Sequence, residues 1–433
     1  MVSGLAATQK STDMIKTEYY KDLTKMNTFG MKVKARCFIE YDSVADLVDI
    51  EFEELARPVL HIGGGSNLLF TDDFKGTVLH SKINFIEILD ECQCIPETPS
   101  QVSLGPSPYP GVGKCPLHTN GTSSEGVQSA ETVLVSVGAG VVFDDFCDWA
   151  AKEGLWGVEN LSYIPGEVGA SAVQNIGAYG VEVKDVIKTV YCYDTVEEEF
   201  VNFDVDDLGY GYRDSAFKDP EIKGRYIVTH VVFALSRKPQ PKLDYGHLKE
   251  AVLSALSREC HSVPETPSQT SLGPSPYPGV GKCPLHTNGT SPSDTDVEQE
   301  KLAKLTPALI RKVIVKIRKE KLPEPSVMGS AGSFFKNPVI GTEHFARIEA
   351  AAKAEFGQDY KVPHYVIEDA VPSCHTERSE ESVSQKCIKV PAAWLIEQCG
   401  WKGKRSGNAA VYDKQPLVIV NYTGDAYPEE IIG

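Results

Sequence analysis

Apolar residues fall into short blocks along this chain, and their spacing predicts strands and helices interspersed from end to end. Alternating or continuous apolar runs predict strands; these runs lie at 35–41, 58–62, 68–70, 78–80, 86–89, 133–137, 190–193, 199–203, 226–235 and 417–421. Apolar residues at helical spacing predict helices; these segments lie at 143–153, 307–320, 345–356 and 392–399. Ser43 followed by Asp46 predicts another helix N-terminus. The first 20 residues are polar, and we expect them to be irregular.

The basic residues of the predicted helix at 307–320 lie away from its apolar stripe. We interpret this face as solvated, although it could also attract a phosphate. The face consists of Arg311, Lys312, Lys316, Arg318 and Lys319.

Two stretches with nearly the same sequence interrupt the apolar pattern. Residues 96–123 return at 264–291, and the copies differ only at Val102 and Thr270. Proline, glycine and serine dominate both copies, so little apolar surface is available to offset the entropy lost on ordering. The copies are too far apart to be stacked units of a solenoid. We interpret both copies, and the polar segment at 373–386, as surface insertions without functional residues.

The stretch from Asn160 to Glu182 combines small residues, side-chain amides and an aromatic ring. Glycine lets backbone N–H groups turn toward an anion without a side chain in the way, and successive N–H groups can form an anion-binding nest. This composition suits a large planar ligand that carries phosphates. It also suits a glycine-rich loop between two core elements, and spacing alone leaves both interpretations open.

A second glycine-rich turn follows the strand predicted at 58–62. Residues 63–67 read Gly-Gly-Gly-Ser-Asn, and such a turn can present N–H groups and a hydroxyl to a phosphate. The spacing matches neither the dinucleotide-binding fingerprint nor the P-loop. The turn is therefore a candidate phosphate cradle of neither common type.

Composition narrows the possible classes of function. The 433 residues are 41% hydrophobic and 24% charged, as in ordinary globular proteins, and this length predicts about two or three domains. A formal net charge of -17 argues against nucleic-acid binding, so local cations and backbone dipoles must hold any anionic ligand. Because the N-terminus lacks the apolar core of a signal peptide and no apolar run could span a membrane, we expect a cytoplasmic protein without a membrane partner.

The cysteines favour free thiols over a disulfide framework. There are 11 of them, an odd number, in a chain without a signal peptide. Cys92 and Cys94 have no second pair of ligands to complete a metal site, so we expect no metal.

Six motifs, taken in order, resemble the UDP-N-acetylenolpyruvoylglucosamine reductases, the FAD enzymes that complete UDP-N-acetylmuramate in bacterial peptidoglycan synthesis. The motifs are NTFG at 27–30, GGGSN at 63–67, IPGEVGASAVQNIGAYGVE at 164–182, GYRDSAFK at 211–218, GSAGSFFKNP at 329–338 and AAWLIEQCGWKG at 392–403. They cover nearly the whole chain outside the insertions, so the resemblance does not rest on one short match.

The resemblance implies an α+β fold with two units. One is a two-part FAD-binding domain of the vanillyl-alcohol-oxidase type, and the other is a smaller α+β substrate-binding domain. We therefore expect a tail at 1–20, the FAD-binding domain at 21–237 with one insertion, and the substrate-binding domain at 238–433 with two. Pro239 and Pro241 mark the boundary.

The resemblance also implies FAD and NADPH as cofactors. By that resemblance, two segments hold the FAD pyrophosphate and the flavin. The first segment contributes Gly63, Gly64, Gly65, Ser66 and Asn67. The second contributes Pro165, Gly166, Gly169, Ala170, Ser171, Gln174, Asn175, Gly177, Ala178 and Tyr179.

The implied reaction uses one site twice. NADPH reduces the flavin and leaves, and UDP-N-acetylglucosamine enolpyruvate then enters. Hydride goes to the terminal vinyl carbon and a proton to the adjacent carbon, while negative charge builds up on the carboxylate. Arg213 matches the family's catalytic arginine, and a fixed cation stabilises such charge. Ser333 matches the proton donor.

Three further residues match substrate-contacting positions of the family: Tyr245, Lys321 and Asn337. The tyrosine groups this chain with the members that carry a tyrosine loop. Without the resemblance, Arg213 could be a surface partner of its neighbour Asp214, and Ser333 would be an ordinary turn residue.

The C-terminal end departs from the family pattern. Family members usually continue with a helix and a strand bearing a Leu-Glu-x-Glu motif, whose glutamate is the third catalytic residue. Glu429 and Glu430 do not match that motif, and the sequence ends at Gly433. The alternative function is therefore a flavoprotein that binds FAD and a UDP-sugar but turns over poorly. The sequence does not give the oligomeric state, and a monomer is compatible with it.

Overall fold

The structure is a computed structural model that describes residues 15–89, 131–261, 302–367 and 387–433. All three predicted insertions lie outside these ranges. Within them, no disulfide joins two cysteines and no three metal-ligating side chains form a cluster. No helix in these ranges has the length and apolar character needed to cross a bilayer.

The strands of the N-terminal part form two sheets and one short hairpin. They are β1 (Lys16–Asp22), β2 (Lys34–Tyr41), β3 (Val59–Ile62), β4 (Phe74–Ser81), β5 (Ile86–Leu89), β6 (Thr132–Gly138), β7 (Gly177–Ala178), β8 (Val181–Glu182), β9 (Ile187–Asp194), β10 (Glu199–Asp204) and β11 (Tyr226–Ser236). The first sheet has the order β1-β2-β4-β3, with β2, β4 and β3 parallel. The second sheet, β10-β9-β11-β6-β5, is antiparallel throughout. The hairpin joins β7 and β8.

The C-terminal part contributes two smaller antiparallel sheets. Their strands are β12 (Gly329–Ser333), β13 (Val339–Gly341), β14 (Tyr365–Ile367), β15 (Cys387–Lys389), β16 (Arg405–Ser406), β17 (Ala409–Val411) and β18 (Val418–Asn421). The strand orders are β12-β18-β17-β16 and β13-β15-β14. Ala409 of β17 packs with Leu23 and Phe29 in one apolar cluster. The β12-β18-β17-β16 sheet therefore lies against the first sheet of the N-terminal part.

The helices flank these sheets. They are α1 (Val44–Val48), α2 (Phe143–Lys152), α3 (Val168–Gln174), α4 (Leu248–His261), α5 (Pro307–Lys321), α6 (Thr342–Phe356), α7 (Ala392–Gln398) and α8 (Pro428–Ile432). At α1 the predicted start is confirmed, because Ser43 and Asp46 form a capping box.

The main core lies between the second sheet and helices α2 and α3. Val135 of β6 and Phe233 of β11 are fully buried, as are Phe146 of α2 and Val168 of α3. Each such side chain contributes about 1.5–3 kcal/mol by leaving water. This core fixes α3, and with it the glycine-rich stretch, against the sheet.

The sequence of helix α5 explains where this helix begins and which of its side chains are buried. The Thr306 side chain caps its N-terminus, and Pro307 occupies the first turn, where its missing N–H costs nothing. Ile310 and Ile314 are fully buried in a cluster with α4 and Trp156. The helix therefore packs on the N-terminal part of the chain.

The prediction that the whole basic face of α5 is solvated is wrong for two arginines. Arg311 forms ion pairs with Asp144 and Asp148 of α2. Arg318 donates from Nε to the carbonyl of Tyr163 at 3.0 Å. The basic face of α5 therefore contacts both α2 and the segment that contains Tyr163, and only part of this face is exposed to solvent.

Two other predictions differ from the structure. The strand predicted at Leu68–Phe70 is absent, because these residues pack on the core of the first sheet without pairing with a neighbouring strand. The N-terminal stretch predicted to be irregular ends in a strand, since Lys16–Asp22 pairs with β2.

Candidate functional site

A groove with a volume of about 210 Å³ opens between the first sheet and α3. The loop after β3 forms one wall, and α3 with the strand ends of β6 and β11 forms the other. Eight predicted cofactor residues line it: Gly63, Gly64, Gly65, Ser66, Asn67, Gly169, Ala170 and Gln174. The two glycine-rich segments, far apart in sequence, thus face one space.

The two segments also contact each other directly. Ser66 donates from its hydroxyl to the carbonyl of Pro165 at 3.0 Å. A Cβ on Gly166 would lie 2.9 Å from that hydroxyl oxygen, and Gly166 has a φ of +120°, which few other residues adopt. Pro165 and Gly166 therefore brace the loop rather than line the groove.

Close backbone packing explains the small residues of α3. A Cβ on Gly169 would lie 2.9 Å from the Cβ of Ala139, at the end of β6. The small residues here therefore let the end of β6 approach the helix closely. Ser171 is buried and donates to the carbonyl of Val168 at 2.6 Å, so its hydroxyl serves the helix and lies away from the groove.

The last predicted cofactor residues lie beyond the C-terminal end of α3. Asn175 caps the helix in a left-handed conformation. Gly177 and Ala178 form β7, and the Tyr179 ring packs edge-on against Tyr245 with ring centroids 6.0 Å apart. These residues form a second region, next to the groove but outside its lining.

The lining of the groove suits the pyrophosphate of the predicted dinucleotide. A Cβ on Gly63 would lie 3.1 Å from Glu167 Oε2 and 3.3 Å from Ala170 Cβ, so any side chain at position 63 would intrude on the wall. Backbone N–H groups without side chains in front of them are what a pyrophosphate needs.

The NTFG motif forms a turn that joins the groove to β12. Thr28 donates its N–H to the carbonyl of Gly65 at 3.2 Å and accepts from the N–H of Ser330 at 2.8 Å. Asn27, which is buried, holds the turn closed through its amide, since it accepts from the N–H of Met31 at 2.8 Å. We call residues 27–30 the bridging turn.

Replacing Gly329 with alanine should destabilise the protein by about 1–3 kcal/mol. A Cβ there would overlap the carbonyl group of Phe29, so β12 or the bridging turn would have to move. Urea unfolding measures the effect. Gly341 is the matched control, because its Cβ would meet open space. Equal stability of the two variants would contradict the close packing.

Arg213 lies on the loop fastened to the C-terminal end of α3. Its guanidinium donates to the carbonyls of Asn175, at 3.0 Å, and Gly177. Ser215 donates to the carbonyl of Val173 at 2.6 Å, and Asn175 donates to that of Gly211 at 2.7 Å. Among the described residues Arg213 makes no ion pair with Asp214, so the surface-pair interpretation finds no support.

Backbone strain concentrates in this region. Asn175, Tyr179 and Arg213 all have positive φ, at 46°, 49° and 56°. Each such conformation costs about 1–3 kcal/mol and persists only where the surroundings impose it, which is typical of functional sites. Here the Arg213 guanidinium holds the carbonyls of Asn175 and Gly177, and Asn160 donates to the carbonyl of Tyr179 at 3.0 Å.

Ser333 ends β12, where the pairing with β18 shifts register. Its side chain is exposed and makes no hydrogen bond within the part of the chain that the structure describes. The segment that follows Ser333 lies near the Arg213 loop. Lys218 of that loop interacts electrostatically with both Arg213 and Lys336. Burial, followed by the charge of Lys336, lowers the pKa of Lys218. Neither Arg213 nor Ser333 lines the groove.

The three predicted substrate residues have different surroundings. Tyr245 packs beside Tyr179 and Gly180, and burial raises its pKa, with smaller contributions from Tyr365 and Tyr212. The structure thus brings Tyr245 to the Arg213 loop. Lys321 is exposed at the end of α5.

Asn337 makes a contact that the sequence did not predict. Its side-chain oxygen accepts from the N–H of Ala392 at 2.9 Å. It therefore caps the first turn of α7 and leaves its NH₂ group to meet a ligand. Glu430 likewise has a structural task, since it accepts from the N–H groups of Tyr427 and Asn408, which lowers its pKa.

Sequence reasoning missed three cations in this region. Lys389 lies 3.6 Å from the centroid of the Tyr212 ring, and burial lowers its pKa. Lys218 donates to the carbonyl of Arg213 at 2.8 Å. Arg318 interacts electrostatically with Tyr179 and Arg213, and burial lowers the pKa of Arg318. Lys218 could have been identified from the sequence, because it is the last residue of the GYRDSAFK motif. Lys389 and Arg318 could be placed near the site only from the folded structure.

Comparisons with known proteins agree with this arrangement. Residues 122–199 match the family model described as FAD binding domain. Residues 324–433 match the model described as the C-terminal domain of UDP-N-acetylenolpyruvoylglucosamine reductase.

Proteins of that name are similar over most of the chain. The UDP-N-acetylenolpyruvoylglucosamine reductase of Bacteroides fragilis (strain YCH46) is 41% identical over 403 residues, which cover 93% of this chain and 89% of that protein. The reductase of Porphyromonas gingivalis (strain ATCC BAA-308 / W83) is 34% identical over 422 residues, with 95% and 92% covered. A crystal structure of the Thermus caldophilus reductase is 18% identical, covers 97% of this chain and 92% of that chain, and has a TM-score of 0.49.

The domain match and the curated relatives confirm several predictions. The protein has an α+β fold with a FAD-binding domain of the vanillyl-alcohol-oxidase type. It is a flavin-dependent oxidoreductase, with FAD and NADPH as cofactors. With 41% identity across nearly its whole length, the chain belongs to the UDP-N-acetylenolpyruvoylglucosamine reductase family.

Proposed function

We propose that this protein reduces UDP-N-acetylglucosamine enolpyruvate to UDP-N-acetylmuramate with electrons from NADPH. The reaction serves peptidoglycan synthesis in the cytoplasm. The observation that carries this proposal is the position of Arg213, which is fixed on two carbonyls at the end of the helix that lines the groove. A rigid cation there would bind an anionic group of a substrate beside the groove.

The groove residues hold the cofactor in this proposal. The N–H groups of Gly63, Gly64 and Gly65 would bind the pyrophosphate, with Gly169 and Ala170 opposite. When bound, FAD takes hydride from NADPH and passes it to the vinyl carbon of the substrate.

Arg213 stabilises the charge that develops on the substrate. A guanidinium has five N–H donors, and the structure uses two of its nitrogens on backbone carbonyls. The remaining donors are available to the carboxylate, whose negative charge grows as hydride arrives. Because the carbonyls already fix the guanidinium, little reorganisation is needed during the reaction.

Ser333 supplies the proton to the carbon next to the vinyl terminus. A serine hydroxyl is a weak acid and delivers a proton only where nearby charges help. Lys336, three residues beyond Ser333, interacts electrostatically with Lys218, which is bonded to Arg213; these are the nearby cations. They stabilise the alkoxide that proton donation leaves behind.

The substrate's diphosphate needs further positive charge, which the net charge of the chain does not provide. Lys218 and Lys389 lie around Arg213 and Tyr212. Together with Tyr245, Lys321 and Asn337, they form the proposed substrate-binding set. Lysine is a suitable point-charge partner for phosphate.

We also propose the division into a FAD-binding domain at 21–237 and a substrate-binding domain at 238–433. Helices α4 and α5 of the second unit pack with Trp156 of the first. The reaction site would then lie at the junction of the units. No observation of the structure favours the alternative of impaired turnover, so it is not part of the proposal.

An anaerobic two-step experiment tests the function. NADPH should bleach the flavin absorbance of the purified protein, and UDP-N-acetylglucosamine enolpyruvate should then restore it. UDP-N-acetylglucosamine, which has no enolpyruvyl group to reduce, is the control and should leave the flavin reduced. Bleaching by NADPH without recovery on addition of the enolpyruvyl substrate would contradict the proposal.

A further inference from the structure

One wall of the groove contains buried titratable groups that the proposed reaction does not use. His80 of β4 is only 5% exposed. Its Nδ1 lies 3.1 Å from Glu40 Oε2, and its Nε2 lies 3.1 Å from Glu167 Oε1. Burying an imidazole between two carboxylates costs free energy, because charged groups lose hydration on burial. A functional role would explain why the fold contains this arrangement.

These groups form a line from solvent to the groove. Lys16 lies 3.7 Å from Glu40 on the outer side. Glu40 is paired with His80 across β2 and β4. Glu167, just before α3, is the inner end and lines the groove. Charge therefore alternates in sign along the line if His80 is protonated.

The surroundings favour that protonated state. Burial opposes the charge of His80, but hydrogen bonds and charge from Glu167 and then Glu40 outweigh it and raise the pKa of His80. His61, the next histidine on the wall, behaves oppositely. Burial, aided by the charge of His80, lowers the pKa of His61 to about 4, and its Nε2 lies 2.7 Å from the Tyr41 hydroxyl.

Glu167 presents its second oxygen to the groove. The residue is 9% exposed, and Oε2 makes no hydrogen bond to any residue that the structure describes. That oxygen lies 3.1 Å from the place where a side chain on Gly63 would begin. A carboxylate only accepts hydrogen bonds, whereas phosphates offer it none. The sugar-alcohol hydroxyls of FAD are the donors that suit this oxygen.

We propose that Glu167 accepts a hydrogen bond from a ribityl or ribose hydroxyl of FAD, and that protonated His80 positions Glu167 and offsets its charge beside the pyrophosphate. This inference rests on the proposed function in taking the groove as the FAD site. In it Glu167 is a binding residue, while His80 and Glu40 are positioning residues.

The arrangement couples FAD binding to pH. The two phosphate charges of FAD favour the imidazolium form, so the pKa of His80 rises further on binding. FAD therefore binds most tightly below the pKa of His80 in the free protein. Its affinity falls as pH rises from that pKa to the pKa of the complex, and binding takes up a proton in this window. The groups that face His80 are Glu40 on β2, Glu167 before α3 and His61 on β3.

Calorimetric titration of FAD into the apoprotein, in two buffers of different ionisation enthalpy, tests this between about pH 6.5 and 9. We expect net proton uptake and a loss of affinity of about tenfold for a one-unit shift. Glu167→Gln should weaken FAD binding at pH 7 by about tenfold and move the proton uptake to lower pH, because His80 loses the carboxylate that raises its pKa most. Glu159→Gln is the matched control, because this buried glutamate accepts from Gly157 at 2.6 Å and lies outside the groove.

Two further measurements separate the possible outcomes. FMN carries only the ribityl hydroxyls and ADP only the ribose hydroxyls, so whichever ligand Glu167→Gln weakens identifies the donor. Absence of proton uptake in the unmodified protein would overturn the proposal even if Glu167→Gln fails to fold. A variant with unchanged affinity and pH dependence would overturn it too. Neither readout uses NADPH or substrate, so failure of the proposed reaction remains distinguishable.

Discussion

Replacing Ser333 with alanine should slow reoxidation of the reduced flavin by substrate about a thousandfold, within the range for loss of a general acid. Reduction of the flavin by NADPH should stay close to normal. The reason is that the Ser333 hydroxyl is exposed and engages no described residue, so its removal disturbs neither the groove nor β12. Anaerobic stopped-flow absorbance of the flavin measures each half-reaction separately.

Two variants sharpen that test. Ser406→Ala removes an exposed serine from β16, at the opposite edge of the same sheet, and should leave both half-reactions unchanged. Ser333→Cys retains a proton donor and should recover part of the lost rate. If Ser333→Ala slows both half-reactions equally, the serine has a structural role and the assignment as proton donor is wrong.

Replacing Arg213 with lysine should slow the substrate half-reaction by about 100–1,000-fold, the usual loss for one preorganised donor to a developing oxyanion. Lysine keeps the positive charge but lacks the planar set of donors that reaches two carbonyls and a carboxylate together. It also leaves the carbonyls of Asn175 and Gly177 without their partner. The rate of substrate-driven reoxidation at saturating substrate measures the effect.

Arg237→Lys is the matched control for that variant. Arg237 follows β11, is exposed and does not line the groove. The same change there should alter neither half-reaction by more than about twofold, since surface substitutions away from such features cost little. Wild-type rates in Arg213→Lys would mean that positive charge alone suffices, or that the arginine does not touch the substrate.

Much of the fold follows from the sequence because local signals and burial agree. The apolar stripe of α5, its Thr306 cap and Pro307 all favour the same helix, which the structure contains. The strand before Gly63 is likewise confirmed as β3. Gly169 lies in the stretch that the sequence marked as rich in small residues, and its lack of a side chain lets the helix pack against Ala139.

The remainder depended on tertiary contacts that no local pattern encodes. The basic face of α5 looked solvated, yet Arg311 and Arg318 meet acceptors far away in sequence. The apolar run at 68–70 packs on the core of the first sheet as a loop and pairs with no neighbouring strand. Glu167 lies within the glycine-rich motif but carries no local signal of its role, and Lys389 lies in no motif. Only the folded chain brings them to the groove wall and the Arg213 loop.

The bridging turn at 27–30 has a consequence for how defects spread. Thr28 is hydrogen bonded to the phosphate-cradle loop on one side and to the strand of Ser333 on the other. A structural change in residues 27–30 should therefore affect both the loop proposed to bind FAD and the strand that carries Ser333. Lesions in the turn should impair both chemical steps in parallel, which gives them a kinetic signature unlike that of damage at either end.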